Sequence, residues 1–427
     1  MTMRERLQNG AYDTALITLY GKEALSTART RWAAAAEKFA CLFGERETVR
    51  LFSASGRTEL SGNHTDHNHG RVLAASIQLD VIAVVAPRSD STVCIHSEGY
   101  APLTLDINDL TAREEEHHTS AALVRGTAAR LAALGGTLGG FEAYVTSEVP
   151  EGLGLSSSAA YEVLIGTIIN VLFNQNRFTP VELALAAQYA ENVYFGKPCG
   201  VLDQMTSAIG GAVAMDFADP TNPIIRRITV DFDAHDYVLC VVNTGGNHAN
   251  LTEDYAAVTR EMKAVSEQRG VDFLRETSRE AVLERSSALR SVCGDRALLR
   301  AFHFFAEDRR ADDMAKALES SDFATYQRLM RASGDSSFRF LQNLYSNQAV
   351  ACQGLPLAIC VGEQVLGDVG AVRVHGGGFA GAVQALFPKT YLPSFCEAME
   401  TVFGAGCCHV LRIRPVGGVC LDEVNEP

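Results

Sequence analysis

Glycines and serines crowd into the segment Val149-Pro-Glu-Gly-Leu-Gly-Leu-Ser-Ser-Ser-Ala-Ala160, just ahead of the long apolar run Ala159–Phe173. Glycines at 152 and 154 let a backbone approach an anion closely. The N-terminus of the helix that follows offers free N–H groups and a positive dipole. A strand, a Gly/Ser loop and a helix in that order suit a di- or triphosphate. The same residues also suit an ordinary turn with serine N-caps. The loop has no G-K-[ST] and no G-x-G-x-x-G, so neither a Walker loop nor a Rossmann fingerprint is present.

Two further clusters could do chemistry. One is Gly56-Arg57-Thr-Glu-Leu-Ser-Gly62-Asn63-His64-Thr65-Asp66-His67, which gathers one arginine, one aspartate and several hydrogen-bonding side chains. The other is Pro198-Cys199-Gly200-Val201-Leu202-Asp203-Gln204. Taken singly, Asp203 reads as a helix N-cap and Arg57 as half of a surface ion pair. His64, His67 and His69 fit no common zinc spacing, and a loop rich in Asn, Thr and Asp is ordinarily solvated. A triple glycine, Gly376–Gly378, follows the strand-like Ala371–His375 and suits a tight bend or a close backbone approach.

Around these segments the elements alternate irregularly. Ala24–Phe43 is Ala-rich with helical spacing. Leu51–Ser53 reads as a short strand before a polar stretch at Ser55–Gly70. Val72–Val85 and Val93–His96 read as strands, and Ser120–Leu134 as a helix stopped by two glycines. Phe141–Ser147 is a strand feeding the Gly/Ser loop, and Val181–Phe195 another helix. Ala212–Asp216 and Ile228–Asn243 follow as strands. Asp254–Gln268 and Arg296–Leu344 are charged and helical, and Val383–Phe387 closes as a strand. Without a strict βαβ rhythm, an α+β architecture is expected. The turn at Asp219–Asn222 suggests a division into residues 1–228 and 229–427.

The 427 residues carry a formal net charge of −14, which argues against a nucleic-acid or acidic-membrane binder. The longest apolar runs, such as Val81–Pro87, are too short to span a bilayer. Eleven cysteines without a C-x-x-C, behind a polar N-terminus, read as reduced thiols in a cytoplasmic protein.

P-x-G-x-G-L-S-S-S-A resembles the ATP loop of the GHMP kinases, the group of galactokinase, homoserine kinase, mevalonate kinase and phosphomevalonate kinase. The segment at 56–67 resembles the sugar-binding signature of galactokinases. Ala190-Glu191-Asn192…Pro198-Cys199-Gly200-Val201-Leu202-Asp203-Gln204 resembles their A-E-H…P-C-G-x-x-D-Q segment. His375-Gly376-Gly377-Gly378-Phe379-Ala380-Gly381 resembles their third motif. Weaker likeness lies at Asn243–Tyr255, Leu299–Leu318 and Leu329–Leu341.

The resemblance implies a two-lobed α+β fold with the site in the cleft, and transfer of the ATP γ-phosphate to the anomeric hydroxyl of galactose. It makes Asp203 and Arg57 the catalytic pair. Gly152, Gly154, Ser156, Ser157 and Ser158 become the phosphate cradle, and Ser158 and Glu191 the Mg²⁺ ligands. Asn63, His64, Asp66, Gly200 and Tyr255 become the sugar contacts. A monomer acting on a small sugar is implied.

Three departures stand out. Asn63 replaces the galactokinase glutamate that meets the 6-hydroxyl. Gly334 stands where a histidine is common, and His375 where threonine is. The first removes a negative charge, which leaves room for galacturonate. Within the same family, N-acetylgalactosamine and arabinose are also candidate sugars. Outside catalysis, the chain could be a sugar sensor, although its serine loop is complete.

Overall fold

The structure is a computed structural model and describes residues 1–150, 152–246 and 251–425. Glu151 of the Gly/Ser loop and residues 247–250 of the stretch Asn243–Tyr255 lie outside the described residues.

Among the described residues twelve strands form two sheets. They are β1 (Arg50–Ser61), β2 (Arg71–Pro87), β3 (Thr92–Ser97), β4 (Leu103–Asp106), β5 (Phe141–Ser147), β6 (Ala212–Asp216), β7 (Ile224–Ile228), β8 (Tyr237–Asn243), β9 (Ala371–His375), β10 (Ala382–Pro388), β11 (Cys408–Leu411) and β12 (Val419–Cys420). The larger sheet runs β12-β1-β2-β5-β3-β4, with β6 added on β2 and β7 on β6; the smaller runs β11-β8-β10-β9. Among the described residues only the β3–β5 pairing is parallel. Helices and strands are mixed rather than alternating, which gives the expected α+β architecture.

The continuous apolar run of β2 follows from burial on both faces. Val81, Ala83 and Val85 face one core, shared with the helices Ser157–Asn174 and Leu202–Ile209. Ile82, Val84 and Ala86 face another, shared with Trp32 and Phe39 of the N-terminal helix Leu25–Phe43. The period-2 pleat sends alternate side chains to opposite layers, so no polar alternation remains to read. The small sheet repeats this: Leu239 and Val241 join the large core, whereas Val238, Cys240 and Val242 join one under the helices Gly354–Leu366 and Leu392–Phe403.

Two elements differ from the sequence reading. The strand begun at Leu51 does not stop at Ser53 but continues to Ser61, through the polar signature. Thr58, Glu59 and Ser61 in this extension are buried against hydrogen-bond partners from the C-terminal half. Ile228–Asn243 is not one strand: β7 ends at Ile228 and β8 starts at Tyr237, separated by a short 3₁₀ turn at Asp233–His235. The chain also returns at its end. Phe52 of β1 pairs with Cys420 of β12, so residues far beyond 228 complete the first sheet.

Candidate active site

Strand β1 positions the first group. Its pairing with β2 shifts register between Ser55 and Arg57 and again between Glu59 and Ser61. Such irregularities re-aim side chains beside functional sites. At Gly56 a Cβ would sit 2.8 Å from the Leu155 carbonyl oxygen, so glycine lets the Gly/Ser loop lie directly on the strand. The Arg57 N–H donates to that same carbonyl at 3.0 Å.

Arg57 and Asp203 meet as a fork. Nε donates to Oδ1 and Nη2 to Oδ2, each at 2.7 Å. The bidentate geometry fixes both planes, which a lysine could not do. Arg57 also donates through Nη1 to the Gly154 carbonyl, and the Ser156 hydroxyl donates to Asp203 Oδ2. Asp203 lies in the first turn of the helix Leu202–Ile209, with its side chain 34% exposed. Residues 146 apart in sequence thus form one ion pair at the mouth of the loop. Ser156, expected in the phosphate cradle, is a partner of Asp203 in this structure. It holds φ +60° at the N-cap of Ser157–Asn174, and Gly152 and Gly154 have φ +76° and +66°. Gly152, Gly154, Ser157 and Ser158 remain at least partly open, as a phosphate cradle needs.

Glu191 sits in a π-helical turn, Ala190–Phe195. Its Oε1 pairs with Lys197 Nζ at 2.9 Å, and its Oε2 accepts from Gln204 Nε2 at 2.7 Å and from the Cys199 thiol at 3.2 Å. The same Gln204 amide donates to Glu162 Oε2 at 3.1 Å. Glu162 is one helical turn beyond Ser158. Burial and the adjacent Glu191 push its carboxyl well above the usual range. Glu162 Oε1 and Gln204 Oε1 are buried acceptors with no partner.

The partly exposed Ser158 hydroxyl and the Glu191 carboxylate, faced by the exposed cation Lys197, fit a Mg²⁺-nucleotide site in which most ligands are water and phosphate. Among the described residues no group of three or more His, Cys, Asp or Glu side chains is set to hold a metal on its own. Lys197, Glu162 and the bridging Gln204 escaped the sequence reading. The P-C-G-x-x-D-Q spacing contains Gln204, yet its double role exists only once two helices pack.

The sugar-signature residues divide. A Cβ on Gly200 would overlap Asp66 Oδ2, so the expected Asp66 and Gly200 do lie together. His64 has φ +59°; its Nε2 faces the Gly377 carbonyl at 2.9 Å, and burial together with His67 keeps the ring neutral by lowering its pKa. Tyr255 donates its hydroxyl to the Gly378 carbonyl at 2.7 Å. The triple glycine therefore meets two expected sugar contacts. His69 stacks on Phe273 at 3.6 Å instead of joining His64 and His67.

Asn63 departs from expectation. It is fully buried, and protein groups saturate its amide. Nδ2 donates to the Gly376 carbonyl at 2.6 Å and to Glu59 Oε1 at 3.2 Å, while Oδ1 accepts from Asn343 at 2.8 Å and Ser337 at 3.4 Å. No group of this amide is left for a sugar hydroxyl. Glu59 also holds Arg373 Nη2 at 2.5 Å, so an acid stands beside the position where the sequence lost one.

Two family descriptions match the chain: "GHMP kinases N terminal domain" over residues 122–211, and "Galactokinase galactose-binding signature" over residues 37–87. Among solved structures the chain is similar to the galactokinase of Lactococcus lactis complexed with galactose. The TM-score is 0.78 at 24% identity, over 91% of this chain and 99% of that one. It is also similar to the Streptococcus pneumoniae phosphomevalonate kinase in complex with phosphomevalonate and AMPPNP (TM-score 0.59, 13% identity, 85% and 98% covered). A third likeness is to the mevalonate kinase of L. major in complex with R-mevalonate (TM-score 0.57, 16% identity, 87% and 97% covered). These likenesses show the GHMP-kinase fold, and the matched segments add its N-terminal domain and a galactose-binding signature. The enzyme class they support is a sugar kinase.

Proposed function

We propose that this GHMP-type sugar kinase is a galactokinase, transferring the γ-phosphate of ATP to the anomeric hydroxyl of galactose. The observation that carries the reading is the Arg57–Asp203 fork set against the Gly154 carbonyl. Phosphoryl transfer asks the protein for alignment and charge neutralisation rather than for covalent chemistry. Asp203 receives the proton of the sugar hydroxyl, or holds that hydroxyl by charge, as its oxygen bonds to phosphorus and the bond to ADP breaks. Arg57 fixes the Asp203 carboxylate with two charge-assisted hydrogen bonds and offsets negative charge as the phosphoryl group moves. The glycines at 152 and 154 admit the phosphates to the backbone, and Ser158 and Glu191 would hold Mg²⁺, which neutralises the phosphate oxygens when bound. Asp66, beside Gly200, reads sugar hydroxyls.

The Glu59 carboxyl that accepts from Asn63 is paired with Arg373, so its charge is offset within the protein, and the assay below decides between galactose and galacturonate.

The test is ADP release with galactose, galacturonate and N-acetylgalactosamine, beside Asp203→Asn. The expected result is turnover of galactose above the other two, reduced at least about 10²-fold in the variant. Unchanged turnover in Asp203→Asn would refute the assignment of Asp203. A wild-type protein that leaves galactose untouched refutes the substrate.

A further inference from the structure

His375, which stands where a threonine is common in the resembling family, belongs to neither the Arg57–Asp203 pair nor the sugar contacts. It ends β9 in the small sheet and is 2% exposed. The pleat of β9 sends Val372 and Val374 into the core beneath the C-terminal helices. Arg373 and His375 therefore point the other way, toward β1.

The proton positions on the ring follow from its partners. Gln384 Nε2 donates to Thr58 Oγ1 at 2.6 Å, which leaves the Thr58 hydrogen free for His375 Nε2 at 2.9 Å. The Glu59 N–H donates to the same nitrogen at 3.3 Å. Nε2 is then the acceptor and Nδ1 carries the hydrogen, donating to the Leu153 carbonyl at 3.3 Å. Burial, with the nearby charges of Arg57 and Arg373, lowers the pKa to about 3, so this neutral tautomer persists at working pH. A Cβ placed on Gly154 would lie 3.5 Å from Nδ1, so the ring sits directly against the loop.

One imidazole thus touches three elements: β9, the strand that carries Arg57, and the middle of the Gly/Ser loop. Gly154 is the residue whose carbonyl takes the Arg57 guanidinium. We propose that His375 is a positioning residue for nucleotide binding, strapping Leu153–Gly154 to β1 so that the loop is pre-formed for phosphate before ATP arrives. Pre-forming a loop lowers the ordering cost of binding, so the strap acts on nucleotide affinity rather than on the sugar. The inference rests on the loop being the nucleotide site.

Two readouts test it on the full chain: ATP dissociation constants by calorimetry with Mg²⁺ present, and hydrogen exchange of the amides at 152–158 without any ligand. The expected result for His375→Ala is an ATP dissociation constant raised at least tenfold, faster loop exchange, and a galactose constant within twofold of wild type. His375→Asn keeps a donor near the Nδ1 position and should recover most of both losses. His375→Gln, which carries its polar group to the Nε2 position, should not.

An ATP constant within twofold of wild type in the alanine variant, with unchanged loop exchange, overturns the proposal. So does a parallel loss for ATP and galactose. If the alanine variant does not fold, equal ATP constants in the Asn and Gln variants overturn it. Because loop exchange is read without ligand, a wild-type chain that binds no ATP refutes the nucleotide reading separately, and the strap is still decided by exchange.

Discussion

At the scale of single residues, the site is a set of side chains whose partners are nearly all other site residues. Arg57 is the clearest case, since its guanidinium reaches both oxygens of Asp203 and the loop carbonyl of Gly154. Arg57→Lys keeps the charge but loses the fork, so turnover should fall about 10²-fold while ATP affinity changes less than about threefold. Steady-state kinetics beside calorimetry separates the two. Asn63 behaves differently, because its amide is consumed by Gly376, Glu59, Asn343 and Ser337. Asn63→Leu would strand those buried groups and should cost about 3 kcal/mol in denaturant unfolding. A loss below about 0.5 kcal/mol would mean that the network is not formed.

At the scale of elements, close approaches do the positioning. β1 carries Arg57, Glu59 and Asn63 because it extends through the polar signature to Ser61. The turn before the helix Leu202–Ile209 brings Gly200 against Asp66, and no side chain fits there. Gly200 is not in the left-handed region, so Gly200→Ala strains contacts rather than backbone. The added methyl must displace the Asp66 carboxylate. The Michaelis constant for sugar should rise about tenfold or more while that for ATP stays within about twofold. Equal shifts in both constants would show that the substitution disturbs the whole cleft. The π-helical turn at Ala190–Phe195 has a comparable role, since it places Glu191 between Lys197, Cys199 and Gln204.

At the scale of the molecule, the C-terminal half closes onto the N-terminal sheet through buried charge. Glu307, in the helix Asp295–Glu319, accepts from the Gly62 N–H at 3.2 Å, from Ser61 at 3.2 Å and from Ser333 at 2.6 Å, and pairs with Arg310. Burial opposes its ionisation, but Arg310, His303 and Arg373 outweigh burial and hold its pKa down at about 2, against an ordinary 4.5. A carboxyl depressed in the folded state adds stability above its unfolded pKa, and that stability is lost as pH falls through the folded one. Glu307 should therefore contribute about 3 kcal/mol at pH 7, fading between about pH 4.5 and 2. Glu307→Gln should lose a similar amount at pH 7 and show a flatter acid limb in denaturant unfolding. An acid limb identical to wild type would contradict the assignment. No helix among the described residues is long and apolar enough to cross a membrane.

The sequence by itself determined the chemistry-bearing segments and the elements with unmixed patterns. Phe141–Ser147, Ala212–Asp216 and Ala371–His375 are legible as strands, and the apolar run after the serine loop as a helix, because local composition and burial agree there. Arg57, Asp203, Asp66 and Gly200 were legible as candidate site residues through the motifs that contain them. The extent of β1 was not, because a buried polar strand carries no hydrophobic signal and depends on partners 246–326 residues away, such as Glu307, Arg373, His375 and Gln384. The tertiary structure alone decided that Asn63 is spent on protein, that Glu162 and Glu191 share Gln204, and that His375 reaches the loop. Most of those contacts join residues distant in sequence, and no spacing along the chain encodes a distance across a packed interior.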